Sequence, residues 1–173
     1  MPERHYREVV LLLALDTATP AVTAALHDGA RVLAEETTVD ARRHGELLTP
    51  AVQTVLRRAG VTPRDLTAIV AGTGPGPYTG LRVGLATAQA LAMAAGVPAY
   101  GLCTLDALAH RAVLEAPPGG PFLVATDARR KEVFYAVYAA DGARTDGPFV
   151  TKPQEVPDGL PVVGAGGRLY AAV

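Results

Sequence analysis

The sequence predicts a mixed α/β protein in which one pattern of strands and helices begins twice. Short apolar runs rich in β-branched residues alternate with longer segments of helical periodicity. An Asp-Gly turn closes a strand at Asp28-Gly29 and again at Asp141-Gly142, and Ala116–Pro121 (APPGGP) is the clearest break between the two copies. These observations predict two related subdomains, residues 1–116 and 117–173.

The composition indicates a folded protein from a reducing compartment. Hydrophobic residues make up 49% of the chain and charged residues 19%, which allows a substantial core and argues against disorder. The net charge of −1 gives no excess of cations with which to hold nucleic acid unaided. The single cysteine, Cys103, excludes an internal disulfide. The apolar run Val9–Leu15 is too short to span a bilayer and lacks a signal-peptide cleavage site, so we expect a cytoplasmic protein.

Missing residue types exclude several hydrolytic mechanisms. The chain contains neither Ser nor Asn, which removes Ser nucleophiles and the Cys-His-Asn arrangement. No two of its four histidines are spaced i, i+4, so the zinc-peptidase pattern HExxH is missing as well. The residues therefore predict no catalytic centre of these kinds and no metal site built on the histidines.

Three strands open the first half and should pair in antiparallel order. They are predicted at Val9–Leu15, Ala21–His27 and Arg31–Val39, the last two joined by the first Asp-Gly turn. An amphipathic helix follows, which begins between His44 and Thr49 and ends near Ala59. Pro50 is best tolerated in a first turn, which favours the later start; an earlier start implies a kink.

The stretch Ala71–Gly84 (AGTGPGPYTGLRVG) is the centre of the first half. It follows the apolar strand Leu66–Ala71 and leads into a helix that ends at Ala95 before Gly96. A glycine-rich turn at a helix start can bind an anion, or it can be a rigid connection that permits close packing. Neither the Walker nor the Rossmann spacing is present, which favours the rigid connection.

This second helix is apolar nearly all round. Arg82 and Gln89 are its only long polar side chains between Leu81 and Ala95. Its small residues recur every four positions on one face: Gly80, Gly84 and Ala88. A domain of this size cannot readily bury such a helix on every side, so part of its surface is predicted to be an interface with another chain.

The remaining elements complete one half and begin the other. Ala99–Leu102 is a short strand, and Thr104 is expected to cap a helix that ends at Glu115. The second half has predicted strands at Phe122–Thr126, Glu132–Ala140 and Val162–Val163, and then a few residues that begin a helix.

Asp16 is the sharpest candidate for a binding group, and two readings stay open. It ends a buried strand before Thr17 and Thr19, so these side chains would be able to hold a hydrated metal ion and a phosphate. Asp and Thr also readily brace their own turn by hydrogen-bonding its backbone. At Asp127, the following basic run Arg129–Lys131 favours a charged hairpin turn over a phosphate contact.

Four motifs together resemble the TsaB family, also called YeaZ. They are DTAT at 16–19, RRHGELLTP at 42–50, GTGPGPYTGLRVGLATAQAL at 72–91 and DARRKEVFYAVY at 127–138, and the resemblance covers essentially the whole chain. It implies the actin-like ATPase superfold, built from two RNase H-like halves. Here the N-terminal half is complete and the second half is shortened.

The resemblance also implies a role in making threonylcarbamoyladenosine in tRNA. In that family the chain is the non-catalytic partner of a related metal-binding subunit, TsaD, and works with the ATPase TsaE. Contact with tRNA is then expected only through the complex, and a homodimer is expected without the partner. The catalytic relative binds its metal partly through two histidines spaced i, i+4, whereas the matching segment Thr104–Leu108 has none. The resemblance therefore implies that the chain is not an enzyme and needs no cofactor when it is alone. ATP or ADP is expected to bind only in the complex.

An alternative from another class is a nucleotide-dependent phosphotransferase or ATPase of the same superfold. It would use Asp16, Thr17 and Thr19 around a phosphate. Ala18 stands where the superfold's phosphate loop has glycine, and the second half that should close over a nucleotide is incomplete, so the scaffold is favoured.

The scaffold hypothesis places the partner against the first two helices, His44–Ala59 and Thr79–Ala95. The predicted interface residues are His44, Leu48, Val52, Leu56, Gly80, Val83, Gly84, Thr87, Ala88 and Leu91.

Overall fold

A computed structural model describes residues 10–169, and the structural statements below refer to that part of the chain. Its strands are β1 Leu12–Asp16, β2 Ala21–His27, β3 Val32–Val39, β4 Ala68–Gly72, β5 Ala99–Leu102, β6 Phe122–Arg129, β7 Glu132–Tyr138, β8 Arg144–Thr151 and β9 Val162–Val163. Its α-helices are α1 His44–Ala59, α2 Tyr78–Ala95, α3 Thr104–Glu115 and α4 Ala165–Leu169. None of these helices combines the length and apolar character needed to cross a bilayer.

Each half is built on a sheet with the same arrangement of strands. The first sheet has the order β3-β2-β1-β4-β5, and the second has the order β8-β7-β6-β9. In both, three consecutive strands pair in antiparallel order, and a later strand lies parallel to the first of them. The repeat predicted from the Asp-Gly turns is therefore present in the fold.

The first core lies between the first sheet and helices α1 and α2. Because side chains alternate along a strand, every second residue of β1 and β2 points into this core, and so does Leu11 just before β1. The strand residues are Leu13, Leu15, Val22, Ala24 and Leu26. Helix α1 adds the apolar stripe that its periodicity predicted: Leu48, Ala51, Val52, Val55 and Leu56. Full burial of each large aliphatic side chain contributes about 1.5–3 kcal/mol.

The second core joins α3 to the second sheet. Leu105 and Ala109 of α3 pack with strand residues that include Phe122 and Tyr138, whose rings stack with centroids 5.6 Å apart. The Tyr138 hydroxyl donates a 2.8 Å hydrogen bond to the Asp106 carboxylate, and burial together with that carboxylate raises the pKa of Tyr138. Helix α3 thus precedes the predicted boundary at residue 116 but packs on the sheet that follows it. The division into 1–116 and 117–173 stays a prediction.

The predicted elements recur in the structure with shifted ends at several strands and with three larger differences. Helix α1 begins at His44, so the later start favoured by Pro50 is wrong and the proline lies inside the helix. Strand β8 is not predicted from the sequence, because it contains Gly147 and Pro148 and most of its residues are exposed. The Thr104 side chain does not cap α3. Of the first predicted strand, Val9 lies outside the described residues.

Candidate functional site

The end of β1 meets the glycine loop and the start of α3 around the carboxylate of Asp16. Its Oδ1 accepts a hydrogen bond from the Ala18 amide at 2.7 Å, and its Oδ2 accepts one from the Thr104 hydroxyl at 2.8 Å. The Thr104 hydroxyl accepts in turn from the Gly74 amide at 3.2 Å. Asp16 therefore connects its own turn to two segments that are distant in sequence.

Thr17 fixes the first turns of α2 to the same place. The residue is 2% exposed, and its hydroxyl donates to the Gly80 carbonyl oxygen at 2.8 Å and accepts from the Gly84 amide at 3.0 Å. A Cβ at Gly84 would lie 2.5 Å from that hydroxyl oxygen, closer than real Cβ atoms come. The glycines on this face of α2 are thus explained by contact with Thr17 of the same chain.

The glycine loop lies directly on the turn formed by residues 16–19. A Cβ at Gly72 would overlap the Asp16 carboxylate, and a Cβ at Gly76 would overlap the carbonyl oxygen of Ala18. Only glycine permits this approach, which agrees with the predicted role of the loop as a rigid connection.

Thr19 completes the turn. Its hydroxyl accepts a hydrogen bond from the Ala21 amide at 3.1 Å, and its carbonyl oxygen accepts one from Nε2 of His44, the first residue of α1, at 2.8 Å. The three polar side chains of the DTAT motif, those of Asp16, Thr17 and Thr19, therefore all hydrogen-bond within the chain. Asp16 and Thr19 brace their own turn, as one of the two readings predicted, whereas Thr17 bonds the backbone of α2. The reading in which these side chains hold a metal ion or a phosphate stays a prediction.

Burial dominates the electrostatics of this turn. It raises the pKa of Asp16 above its usual range, although the hydrogen bonds from the Ala18 amide and the Thr104 hydroxyl act in the opposite direction. Within residues 10–169, no three His, Cys, Asp or Glu side chains lie close enough together to bind a metal ion.

The predicted interface residues separate into two groups. Six of them are buried inside the chain's own fold: Leu48, Val52, Leu56, Gly80, Gly84 and Ala88. Their part of the interface prediction is corrected, because the stripe on α1 faces the first core and the small residues of α2 face Thr17 and the sheet. The other four are half-buried and stay predicted interface residues: His44, Val83, Thr87 and Leu91.

The exposed apolar surface of α2 lies on the side opposite its small residues. With 3.6 residues per turn, the buried positions 80, 84, 88 and 92 share one face, and the other side is exposed. We name this side the outer face of α2: Tyr78, Arg82, Leu85, Ala86, Gln89, Ala90 and Met93. Tyr78 is 71% exposed and Met93 75%, and Arg82 places its guanidinium 5.3 Å from the centre of the Tyr78 ring. The interface predicted from the sequence does not include this face of α2. The scarcity of polar residues in the helix was the feature that could have indicated it.

The sheet order and the repeated halves define a protein of the actin-like ATPase superfold. The solved structure of the activator of 2-hydroxyisocaproyl-CoA dehydratase from Clostridium difficile shares this fold, with a TM-score of 0.51. That match covers 84% of this chain and 46% of the other at 12% identity, and it concerns the fold alone.

Comparison with more similar proteins gives the family. YeaZ from Pseudomonas aeruginosa matches with a TM-score of 0.76 and 34% identity over 86% of this chain and 69% of that one. A family model described as TsaD, tRNA N6-adenosine threonylcarbamoyltransferase, matches residues 31–159. The Escherichia coli tRNA threonylcarbamoyladenosine biosynthesis protein TsaB is 38% identical over 130 residues. The chain therefore belongs to the TsaB/YeaZ family, which confirms the resemblance.

The matches differ in how much of each relative the chain spans. An uncharacterized protein of Mycobacterium tuberculosis is 48% identical over 169 residues, which are 96% of this chain and 76% of that protein. The match to Escherichia coli TsaB covers 75% of this chain but only 55% of that protein.

Proposed function

We propose that the chain is a non-catalytic scaffold subunit in the biosynthesis of threonylcarbamoyladenosine in tRNA, where it pairs with a TsaD-like threonylcarbamoyltransferase. Membership of the TsaB/YeaZ family supports the pathway, since relatives named TsaB are biosynthesis proteins for this modification. A TsaE-like ATPase is the expected third component, and tRNA is contacted through the complex.

The single observation that carries the scaffold role is the outer face of α2. It exposes Tyr78, Leu85 and Met93 together with two alanines, and Arg82 and Gln89 are its only long polar side chains. Contiguous apolar surface of this kind on a folded chain is characteristic of protein–protein interfaces, where aromatic residues and Met are enriched. The half-buried Val83, Thr87 and Leu91 border this face and extend the proposed contact.

The hydrogen bonds of the DTAT turn support a chain that needs no nucleotide of its own. A phosphate bound at this turn would compete for the Thr17 hydroxyl, which already hydrogen-bonds two backbone groups of α2. It would also compete for the Ala18 amide, which already donates a hydrogen bond to the Asp16 side chain. Each neutral hydrogen bond given up costs about 1 kcal/mol, and a bond to an ionised carboxylate costs about 1.5–3 kcal/mol. ATP or ADP therefore acts only within the complex in this proposal.

Co-purification with a TsaD-like protein tests the pairing. Met93→Asp places a charge in the outer face of α2, and we expect it to weaken binding at least about tenfold, because an unpaired charge would be desolvated at the interface. Leu114→Asp is the matched control: Leu114 is 71% exposed near the end of α3, as Met93 is near the end of α2. Equal binding by wild type and Met93→Asp would contradict the proposed surface.

Without a partner, the same face should pair with a second copy of the chain. Light scattering of the purified protein at high concentration is expected to show a dimer for wild type and Leu114→Asp, and a monomer for Met93→Asp. A monomeric wild type would contradict the homodimer but not the pairing with TsaD.

A further inference from the structure

The two sheets differ in how one of their faces is covered. In the first half, the chain between β3 and β4 forms α1, which packs on β2 and β3 from the same side of the sheet as α2. The inward side chains of β2, those of Val22, Ala24 and Leu26, are all 0% exposed. In the second half, α4 is the counterpart of α2, because it follows β9 and packs on β6. A Cβ at Gly166 of α4 would lie 2.8 Å from the carbonyl carbon of Ala125.

The described part of the second half has no counterpart of α1. Residues 152–161, which join β8 to β9, contain a short 3₁₀ turn at Pro153–Glu155 and no α-helix. The strand residues on the α4 side are therefore less well covered over β7 and β8. Phe149 is 41% exposed, and Tyr135 and Val137 are half-buried.

These three apolar side chains share one face of the second sheet. Tyr135 pairs with Ala125 on one side and with Phe149 on the other, and paired residues point to the same face. Val137 lies two residues further along β7 and points the same way. The rings of Tyr135 and Phe149 have centroids 5.4 Å apart. We name Tyr135, Val137 and Phe149 the open face of the second sheet.

Exposure to water does not account for the composition of the open face. An antiparallel sheet can leave one face in solvent, but that face is then polar. The first sheet follows this rule on the side opposite α1, where β2 and β3 carry Thr23, Glu35 and Thr37. The open face has two aromatic rings and a valine instead. Contiguous exposed apolar surface of this kind indicates an interaction site.

A cavity of about 200 Å³ adjoins the open face. Its lining includes Ala125, which pairs with Tyr135, and Val133, which lies two residues before Tyr135 on the same face of β7. The segment that joins β8 to β9 adds Val156 and Leu160 to the lining. The cavity and the open face together form one apolar depression, which we name the groove.

The chain that borders the groove is acidic. Residues 145–160 contain three acidic side chains, those of Asp146, Glu155 and Asp158, and one basic side chain, that of Lys152. The three acidic residues are exposed, and none of them forms an ion pair within residues 10–169. Asp158 also lines the cavity. A partner that fits this groove therefore carries basic groups beside its apolar ones.

We propose that the groove binds an amphipathic α-helix of another protein, one whose apolar stripe is flanked by Lys or Arg. Such a helix takes the place that α1 has in the first half, and it follows the common mode in which a helix lays its apolar face into a groove. In the first half, Arg58 near the end of α1 forms a 2.7 Å ion pair with Glu36, which pairs with Ala24 and so lies on the covered face. The same combination of apolar stripe and basic flank suits the groove.

The proposed helix comes from a different protein. The apolar stripe of α1 is buried in the first core, so a second copy of this chain does not offer that helix. The groove lies in the second half and shares no residue with the outer face of α2, so it is independent of the pairing with a TsaD-like subunit.

The test uses three labelled helical peptides of the length of α1, which is 16 residues, and fluorescence anisotropy. The first peptide has the apolar spacing of α1 on a background of Ala and Lys. The second replaces each Lys by Glu, and the third has the composition of the first with the stripe scrambled. We expect the first peptide to bind the purified chain at least about tenfold more tightly than either of the others, and to shift the amide signals of Tyr135, Val137 and Phe149.

Phe149→Asp is the decisive variant, and Val150→Asp is its matched control. Both residues are exposed on β8, at 41% and 56%, but consecutive residues of a strand point to opposite faces. Phe149→Asp should weaken binding of the first peptide about tenfold or more, because its charge would be desolvated under the helix. Val150→Asp should bind it like the wild type. Asp158→Lys, at an exposed position where folding is not at risk, should narrow the preference for the Lys peptide over the Glu peptide.

Several results would overturn the proposal. They are the lack of binding of the first peptide at about 1 mM, equal binding of the scrambled peptide, and equal loss in Phe149→Asp and Val150→Asp. Met93→Asp separates the groove from the outer face of α2, since it should bind the first peptide like the wild type. Loss of binding in Met93→Asp but not in Phe149→Asp would assign the helix to α2 instead. A dimer of the purified chain that Phe149→Asp dissociates would show that a second copy occupies the groove.

Discussion

Replacing Gly84 by alanine tests how α2 is held against the DTAT turn. In an exposed helix, alanine would be preferred over glycine by about 0.5–1 kcal/mol. At this position the new Cβ would lie 2.5 Å from Oγ1 of Thr17, whereas ordinary contacts begin at 3.4 Å. The Thr17 hydroxyl, which is buried with its residue 2% exposed, has to move away from the new Cβ and out of its present hydrogen-bond geometry.

The expected loss in free energy of unfolding follows from the hydrogen bonds that this movement of the Thr17 hydroxyl breaks. The Thr17 hydroxyl bonds the Gly80 carbonyl and the Gly84 amide, and each bond contributes about 1 kcal/mol. Overpacking of a well-packed site costs about 1–3 kcal/mol in total. After subtraction of the helix preference of about 0.5–1 kcal/mol, the free energy of unfolding should fall by up to about 2.5 kcal/mol, and the melting temperature by up to about 10 °C for a chain of this length.

The test is the free energy of unfolding in urea of four variants, which are Gly84→Ala, Gly45→Ala, Thr17→Ala and the double variant Thr17→Ala with Gly84→Ala. Gly45→Ala is the control, because a Cβ there meets nothing within 4 Å in α1, and it should be neutral or stabilising. In a Thr17→Ala background the clash is removed, so Gly84→Ala should also become neutral or stabilising. A Gly84→Ala variant that is more stable than wild type, or equally destabilised in both backgrounds, would refute the reasoning.

Three further predictions follow from the same contacts. Burial raises the pKa of Asp16 in the folded protein above its ordinary value of 3.8. The protonated carboxyl therefore contributes its full stabilisation below about pH 3.8, and this stabilisation is lost as the pH rises through the folded-state pKa. The unfolding free energy of Asp16→Asn relative to wild type should therefore increase between about pH 4 and neutrality, and a constant difference would contradict this. Tyr138→Phe removes the 2.8 Å bond to Asp106 and should lower the free energy of unfolding by about 1–2 kcal/mol in chemical denaturation; an unchanged value would show that the bond is not stabilising. The purified chain and its Asp16→Asn variant should show the same background rate of ATP hydrolysis, whereas steady-state hydrolysis that the variant abolishes would support the phosphotransferase alternative.

The strands and helices could be predicted because their signals are local. The alternation at β1 and β2 and the 3.6-residue stripe on α1 each follow from which residues enter the core. Strand β8 could not be predicted, since it is largely exposed and its residues carry no apolar pattern. It is held by pairing to β7, which is a property of the sheet rather than of the segment.

The orientation of α2 and the network at Asp16 depend on contacts that are distant in sequence. Small residues on one helix face permit close approach but do not say to what, and here the approaching group is Thr17, 67 residues before Gly84. Likewise, Thr104 resembles a helix cap locally, yet its hydroxyl bonds Asp16, 88 residues away. The sequence therefore indicated the importance of α2 and of Asp16 but could not assign which face of the helix is exposed or what the carboxylate holds.

The most direct test of the scaffold role is threonylcarbamoyladenosine formation in a reconstituted mixture of this chain, a TsaD-like subunit with its threonylcarbamoyl donor, a TsaE-like ATPase and tRNA. Two folded variants separate the alternatives, since Met93→Asp alters the outer face of α2 and Asp16→Asn alters the turn that a phosphotransferase would use. The scaffold account predicts that Met93→Asp lowers the rate of tRNA modification sharply and that Asp16→Asn leaves it close to that of the wild type. Loss of modification with Asp16→Asn, together with full activity of Met93→Asp, would contradict it.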